Sequence, residues 1–116
     1  MITGSHVIVF SSDPEADRTF FADVLGYPHV DAGGGWLIFK LPPAELAVHP
    51  SDGPAGHELY LMCDDLDATM TDLRATGVDV VGDVSEERWG RLTRIRLPGG
   101  GTVGVYEPRH PVAIDL

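Results

Sequence analysis

Cysteine is nearly absent from this chain: a single residue, Cys63, carries a thiol. One thiol excludes an internal disulfide and a cysteine-rich zinc site, and it fits a reducing compartment. Basic residues are also scarce, with 8 lysines and arginines against 18 acidic residues and a formal net charge of −10. Nucleic acid and anionic membrane surfaces are polyanions that need a basic face, so neither is expected as a partner. No apolar run approaches the roughly 20 residues of a membrane span. The opening MITGSHVIVF lacks the basic stretch that begins a signal peptide. The expectation is a soluble, acidic, cytoplasmic domain. There is no serine or cysteine nucleophile elbow and no EF-hand spacing. GGG occurs twice but opens no helix, which argues against a phosphate cradle.

What is present is enough for one domain: 116 residues, 43% of them hydrophobic and 22% charged. The chain is written twice. HVIVFSSDPEADRTFFADVLGY starts at His6, and ELYLMCDDLDATMTDLRATGV starts at Glu58. Each runs a short apolar strand into acidic or hydroxyl residues that cap a helix. Asp13 followed by Pro14 is a helix start, because proline at the first helical position loses no hydrogen bond. Ala16, Phe20, Phe21 and Val24 then recur at helical spacing until Gly26. In the second copy Leu66, Met70 and Leu73 form the stripe, and Gly77 ends it. The spacing predicts helices over Asp13–Leu25 and Asp65–Thr76. Extended segments follow each helix: Pro28–Asp31, Trp36–Leu41 and Glu45–His49, then Val78–Val81, Trp89–Leu97 and Thr102–Glu107. Each half reads β-α-β-β-β, as modules 5–49 and 57–108 of a single domain spanning 1–116, joined by the linker at 49–56.

Side chains alternate faces along a strand, so parity separates core from cavity. Val7 and Val9, Leu46 and Val48, Leu59, Leu61 and Cys63, and Val103 and Val105 form plain faces suited to packing under helices. The opposite faces are mixed: His6, Glu45, His49, Glu58, Tyr60, Thr102 and Tyr106. Such a face lines a small-molecule cavity. Trp36, Trp89, Tyr60 and Tyr106 are candidates to stack on a flat ligand; the plainer reading of Trp36 and Trp89 is core or interface packing. His29 and His110 stand in turn-like surroundings and read as surface residues.

Two βαβββ halves, with DPEADRTFFADVLGY, DDLDATMTDLRATGVDV and LPGGGTVGVYEP in that order, resemble the vicinal oxygen chelate superfamily of glyoxalases, bleomycin resistance proteins and extradiol dioxygenases. The resemblance covers about His6 to Pro108. It implies an α+β fold whose two modules form a curved mixed sheet around a cleft, with helices on the outer face, and a homodimer. It also implies a site in which the first and last strands of each module supply a divalent metal. Carried over, the ligands fall on His6, Glu45 and Glu58, with His57 as the alternative to Glu58. The fourth falls on Gly104, which has no side chain to give. Any Ni, Zn, Fe or Mn ion there is expected to be weakly held, and the missing side chain is expected to leave room for a bulkier ligand. The plainer alternative for Glu58 is an arginine partner such as Arg94 or Arg96. Two functions stay open. One is a metal-assisted lyase or dioxygenase acting on vicinal oxygens, with Glu58 or Glu45 as base. The other is a non-catalytic protein that binds and sequesters an antibiotic-type small molecule.

Overall fold

The structure is a computed structural model and describes residues 6–50, 52–54 and 56–116. Its best-formed part is the second half. There β3 (Tyr60–Met62) leads into α2 (Leu66–Ala75), then β4 (Asp79–Glu87), β5 (Gly90–Arg96) and β6 (Thr102–Pro108). The four strands form one mixed sheet in the order β3-β6-β5-β4, with β3 parallel to β6 and the other pairs antiparallel. A parallel neighbour cannot follow through a tight turn, so β3 reaches β6 only after the helix and two intervening strands.

Both helices start where the capping residues lie. Asp13 accepts from the Ala16 amide at 3.2 Å and Asp65 from the Ala68 amide at 3.0 Å. The first helix is α-helical only over α1 (Pro14–Thr19) and widens into a π-helical turn over Phe20–Val24, ending before Gly26, whose φ of 69° glycine adopts without strain. The α2 helix has a second cap that the local sequence does not show. Glu107, on β6, accepts from the Leu66 amide at 3.0 Å, setting a carboxylate at the helix N-terminus.

The core lies between the helices and one face of the sheet. It holds Phe20 and Phe21, Leu66 and Met70, and Val78, Ile95, Leu97, Val103 and Val105, with Leu59, Leu61 and Cys63 packed against it. Parity therefore sorted the second half correctly. Val24, expected in the first helical stripe, is exposed instead.

The first half differs from expectation. It contributes α1, the π turn and a two-stranded antiparallel sheet of β1 (His29–Asp31) and β2 (Leu37–Phe39). The segments expected as its first and fourth strands, 6–10 and Glu45–His49, lie outside both sheets. Val7 and Val9 pack under no helix. Phe10 is 90% exposed, Leu46 91% and Val48 89%. The physical reason is pairing: β-branched residues favour extended backbone, but a strand needs a hydrogen-bonded neighbour. Prolines at 42, 43 and 50 flank the second segment and remove donors on either side of it.

The two halves are latched at the β5–β6 turn. Asp17, 5% exposed, accepts from the Gly99 amide at 2.7 Å, and Ser12 donates to the Gly99 carbonyl at 2.8 Å. A Cβ at position 99 would run into Ser11 Oγ and the Asp17 carboxylate, so a side chain there would have to displace the groups that make this latch. No helix among the described residues is long and apolar enough to cross a membrane.

Candidate functional site

Of the mixed side chains that parity assigned to one face, Tyr60, Thr102 and Tyr106 lie on the four-stranded sheet, while His6, Glu45, His49 and Glu58 lie outside its strands. The register aligns Tyr60 on β3 with Gly104 on β6, and Gly104 with Arg94 on β5. Three neighbouring strands thus present, in one row, a phenol, a hydrogen atom and a guanidinium. The Tyr60 ring lies against the glycine: a Cβ built at 104 would clash with three carbons of that ring. Without a side chain, Gly104 lets the Tyr60 ring approach the strand backbone closely. The room expected beside Thr102 and Tyr106 is therefore not vacant, because Tyr60 fills it.

Tyr60 is held in that position from both sides. Its hydroxyl donates to Glu58 Oε2 at 2.5 Å and accepts from Arg94 Nη2 at 3.1 Å, and Arg94 also lies 3.7 Å from the Glu58 carboxylate. The guanidinium carbon sits 5.5 Å from the Tyr60 ring centre, within cation–π range. Burial, and after it the Glu58 carboxylate, push the phenol above its ordinary value, against a smaller downward pull from Arg94.

A second group lies beside the first. Tyr106, also on β6, meets Tyr60 edge to face at 5.9 Å and Trp89 at 5.8 Å. Its hydroxyl lies 3.3 Å from Glu45 Oε1 and 3.3 Å from His110 Nε2. His110 Nδ1 is 2.7 Å from the Pro111 carbonyl, which can only accept, so Nδ1 carries a proton. Glu45 is further occupied by the Ala113 amide, which donates to Oε2 at 2.7 Å. Burial first, and Glu45 second, push the Tyr106 phenol upward.

The carried-over metal residues are not brought together. His6 is exposed in the unpaired segment at 6–10, Glu58 is committed to Tyr60 and Arg94, and Glu45 to Tyr106 and Ala113. Among the described residues no group of three or more histidine, cysteine, aspartate or glutamate side chains is placed to hold a metal ion. A guanidinium beside Glu58 and a ring over Gly104 are also the wrong chemistry for a cation site. This donor set does not fit a resident divalent metal.

Of the other candidates, Thr102 opens β6 and is exposed, and His49 is exposed outside both sheets. Trp36 stands apart, exposed under the Arg18 guanidinium at 4.6 Å. Cys63 lies on the helix side, where burial pushes its thiol upward and its Sγ–H points to the Tyr106 carbonyl at 3.5 Å. Glu107, whose parity was wrong for the cavity, caps α2.

Three residues matter more than sequence reading indicated. Arg94 entered only as a partner for Glu58, yet its parity opposite buried Thr93 and Ile95 already puts it on the face away from the core. His110 read as a surface residue, and Trp89 as either a stacking residue or packing. Both border Tyr106, and only the chain's return over the sheet puts His110 there. Depressions of about 430 Å³ at Asp13, Glu15, Ala16 and Thr19, and about 280 Å³ between Phe20 and Gly77, include none of Tyr60, Trp89, Arg94, Gly104 and Tyr106.

A scan against protein-family models and a search of curated proteins found no match. Solved structures do match. TnmS3, an antibiotic binding protein from Streptomyces sp. CB03234, is 27% identical with a TM-score of 0.61, over 93% of this chain and 99% of its own. A glyoxalase/bleomycin resistance protein from the same organism is 28% identical with a TM-score of 0.56, over 84% and 94%. A lactoylglutathione lyase from Agrobacterium tumefaciens is similar in fold, 23% identical with a TM-score of 0.61, over 90% and 92%. The α+β arrangement, the mixed sheet bearing its site on the face away from the helices, and these likenesses agree: the chain has the vicinal oxygen chelate fold of the glyoxalase, bleomycin resistance protein and dioxygenase superfamily.

Proposed function

We propose that this protein binds and sequesters a planar, partly aromatic small molecule of the antibiotic type and does not transform it. One observation carries the reading: the Tyr60 ring, tied to Glu58 and Arg94, lies over Gly104 where glyoxalase-like relatives would present a metal-binding carboxylate. That turns a coordination site into an aromatic surface. Tyr60, Tyr106 and Trp89 supply flat apolar area with hydrogen-bonding edges, the composition of pockets that hold conjugated ligands. Glu58, paired with a guanidinium and a phenol, is a poor general base, because a base needs an open lone pair at the reacting proton. The likeness to an antibiotic binding protein over nearly its whole length supports the same reading.

Bleomycin, proflavine (a planar cation) and anilinonaphthalene sulfonate (a planar anion) are the probes. Quenching of tryptophan emission, with recovery of the probe unaltered by mass spectrometry, is the expected result. Turnover of the methylglyoxal–glutathione hemithioacetal or of a catechol on adding Ni, Zn, Fe or Mn would replace it with the enzymatic reading.

We propose also that the protein works as a homodimer. Val7, Ile8, Phe10, Leu46 and Val48 are exposed on the two segments that the first module leaves unpaired, and β3 is an edge strand. A second copy supplies the same apolar surface in return, which is the self-complementarity that a two-fold interface needs.

A further inference from the structure

We propose that Glu45 is a positioning residue which clasps the segment 110–113 across Tyr106, making that segment one wall of the aromatic face and a barrier to ligand entry. The clasp has two bonds. Glu45 Oε2 takes the Ala113 amide at 2.7 Å, and Oε1 accepts from the Tyr106 hydroxyl at 3.3 Å. The carboxylate is largely enclosed, at 15% exposure, although its neighbours Ala44 and Leu46 are exposed. A glutamate turned inward from an irregular, exposed segment is held there by what it binds.

The segment is hinged at a fixed point. Just before it, the Arg109 amide donates to the Trp89 carbonyl at 2.7 Å and the Arg109 side chain to Glu86 at 2.8 Å. Beyond Arg109 the chain belongs to neither sheet, and His110 lies with its ring 6.1 Å from Tyr106. The bonds holding it down therefore come from Glu45 and Tyr106. A flat molecule seeking Tyr106 and Trp89 competes with the His110 ring for the same surface, so entry requires the clasp to open. Only this kinetic consequence rests on the binding reading above; the clasp itself does not.

The test uses the full chain with Trp36→Phe, so that Trp89 alone emits, and compares it with versions carrying Glu45→Ala or Ala113→Pro. Glu45→Ala should speed amide exchange at Ala113 roughly tenfold, the effect of losing one charge-assisted hydrogen bond. The β5–β6 ladder should keep its protection, which separates clasp opening from unfolding. Ala113→Pro removes the donor and leaves Glu45 intact. Both variants should raise acrylamide quenching of Trp89, about twofold, and both should accelerate proflavine association severalfold. Unchanged Ala113 exchange in Glu45→Ala, or unchanged Trp89 quenching in Ala113→Pro, overturns the clasp. Faster exchange with an unchanged association rate overturns the barrier. Proflavine failing to bind any version counts against the binding reading, while exchange and quenching still decide the clasp.

Discussion

Gly104 concentrates the chemistry of the site at a single position. Its φ is not in the left-handed range, so alanine is barred there by the Tyr60 ring and not by backbone strain. Gly104→Ala should push Tyr60 off Glu58 and Arg94 and lower stability by about 1–3 kcal/mol, as overpacking does. Urea denaturation measures it, and wild-type stability in that variant would show that the ring does not lie against the glycine. The phenols make a pH prediction. Tyr60 and Tyr106 have raised pKa values in the folded state, so the protein keeps their protons when the unfolded chain has lost them. Their contribution is whole below the unfolded value of about 10 and is lost as pH rises through the folded values. Burial raises Tyr27 as well, so phenolate absorbance should show all three tyrosines titrating late, with one lost in Tyr60→Phe and one in Tyr106→Phe. A wild-type curve that fits tyrosines titrating at the ordinary value would contradict this. Cys63, half-buried with its thiol pushed up, should react with a disulfide reagent far more slowly than the same residue in urea.

At the scale of elements, α2 shows how far local rules reach. Asp65 and the Leu66, Met70, Leu73 stripe predict the helix, its start and its buried side, and the structure has all three. Glu107 could not be read the same way, because its role as a second cap exists only once β6 lies beside the start of α2. Asp65→Ala should cost about 1 kcal/mol, the usual worth of an N-cap. Glu107→Ala should cost a similar amount by freeing the Leu66 amide, and thermal unfolding of both variants checks the pair. If Glu107→Ala melts with the wild type, the cap from β6 is energetically idle. The segments at 6–10 and 45–49 teach the reverse lesson. Their alternation suits strands, but alternation describes a conformation and pairing requires a partner, which this chain alone does not supply to them.

For the whole molecule, that missing partner is the main expectation. Light scattering at micromolar concentration should give the mass of two chains. Phe10→Asp, which places a charge on the exposed apolar run, should give the mass of one. A monomer in the unaltered protein removes the proposed role of the second copy. The acidic balance of the chain, −10 overall, adds a further check: association should strengthen with salt, because screening weakens repulsion between like-charged copies.

The sequence by itself determined what depends on near neighbours along the chain: the capped helices, the turns at glycine, and the parity that separates Val103 and Val105 from Tyr60 and Tyr106. Those features follow from backbone geometry and side-chain period, which act over a few residues. Only the tertiary structure decided what fills the place at Gly104, since strand register brings Tyr60 and Arg94 to it from 44 residues before and 10 before. It alone decided that Glu45 meets Tyr106, 61 residues on, and Ala113, 68 residues on. Contacts at such separations depend on how the whole sheet closes its loops and not on any local preference, so no local pattern in the chain records them.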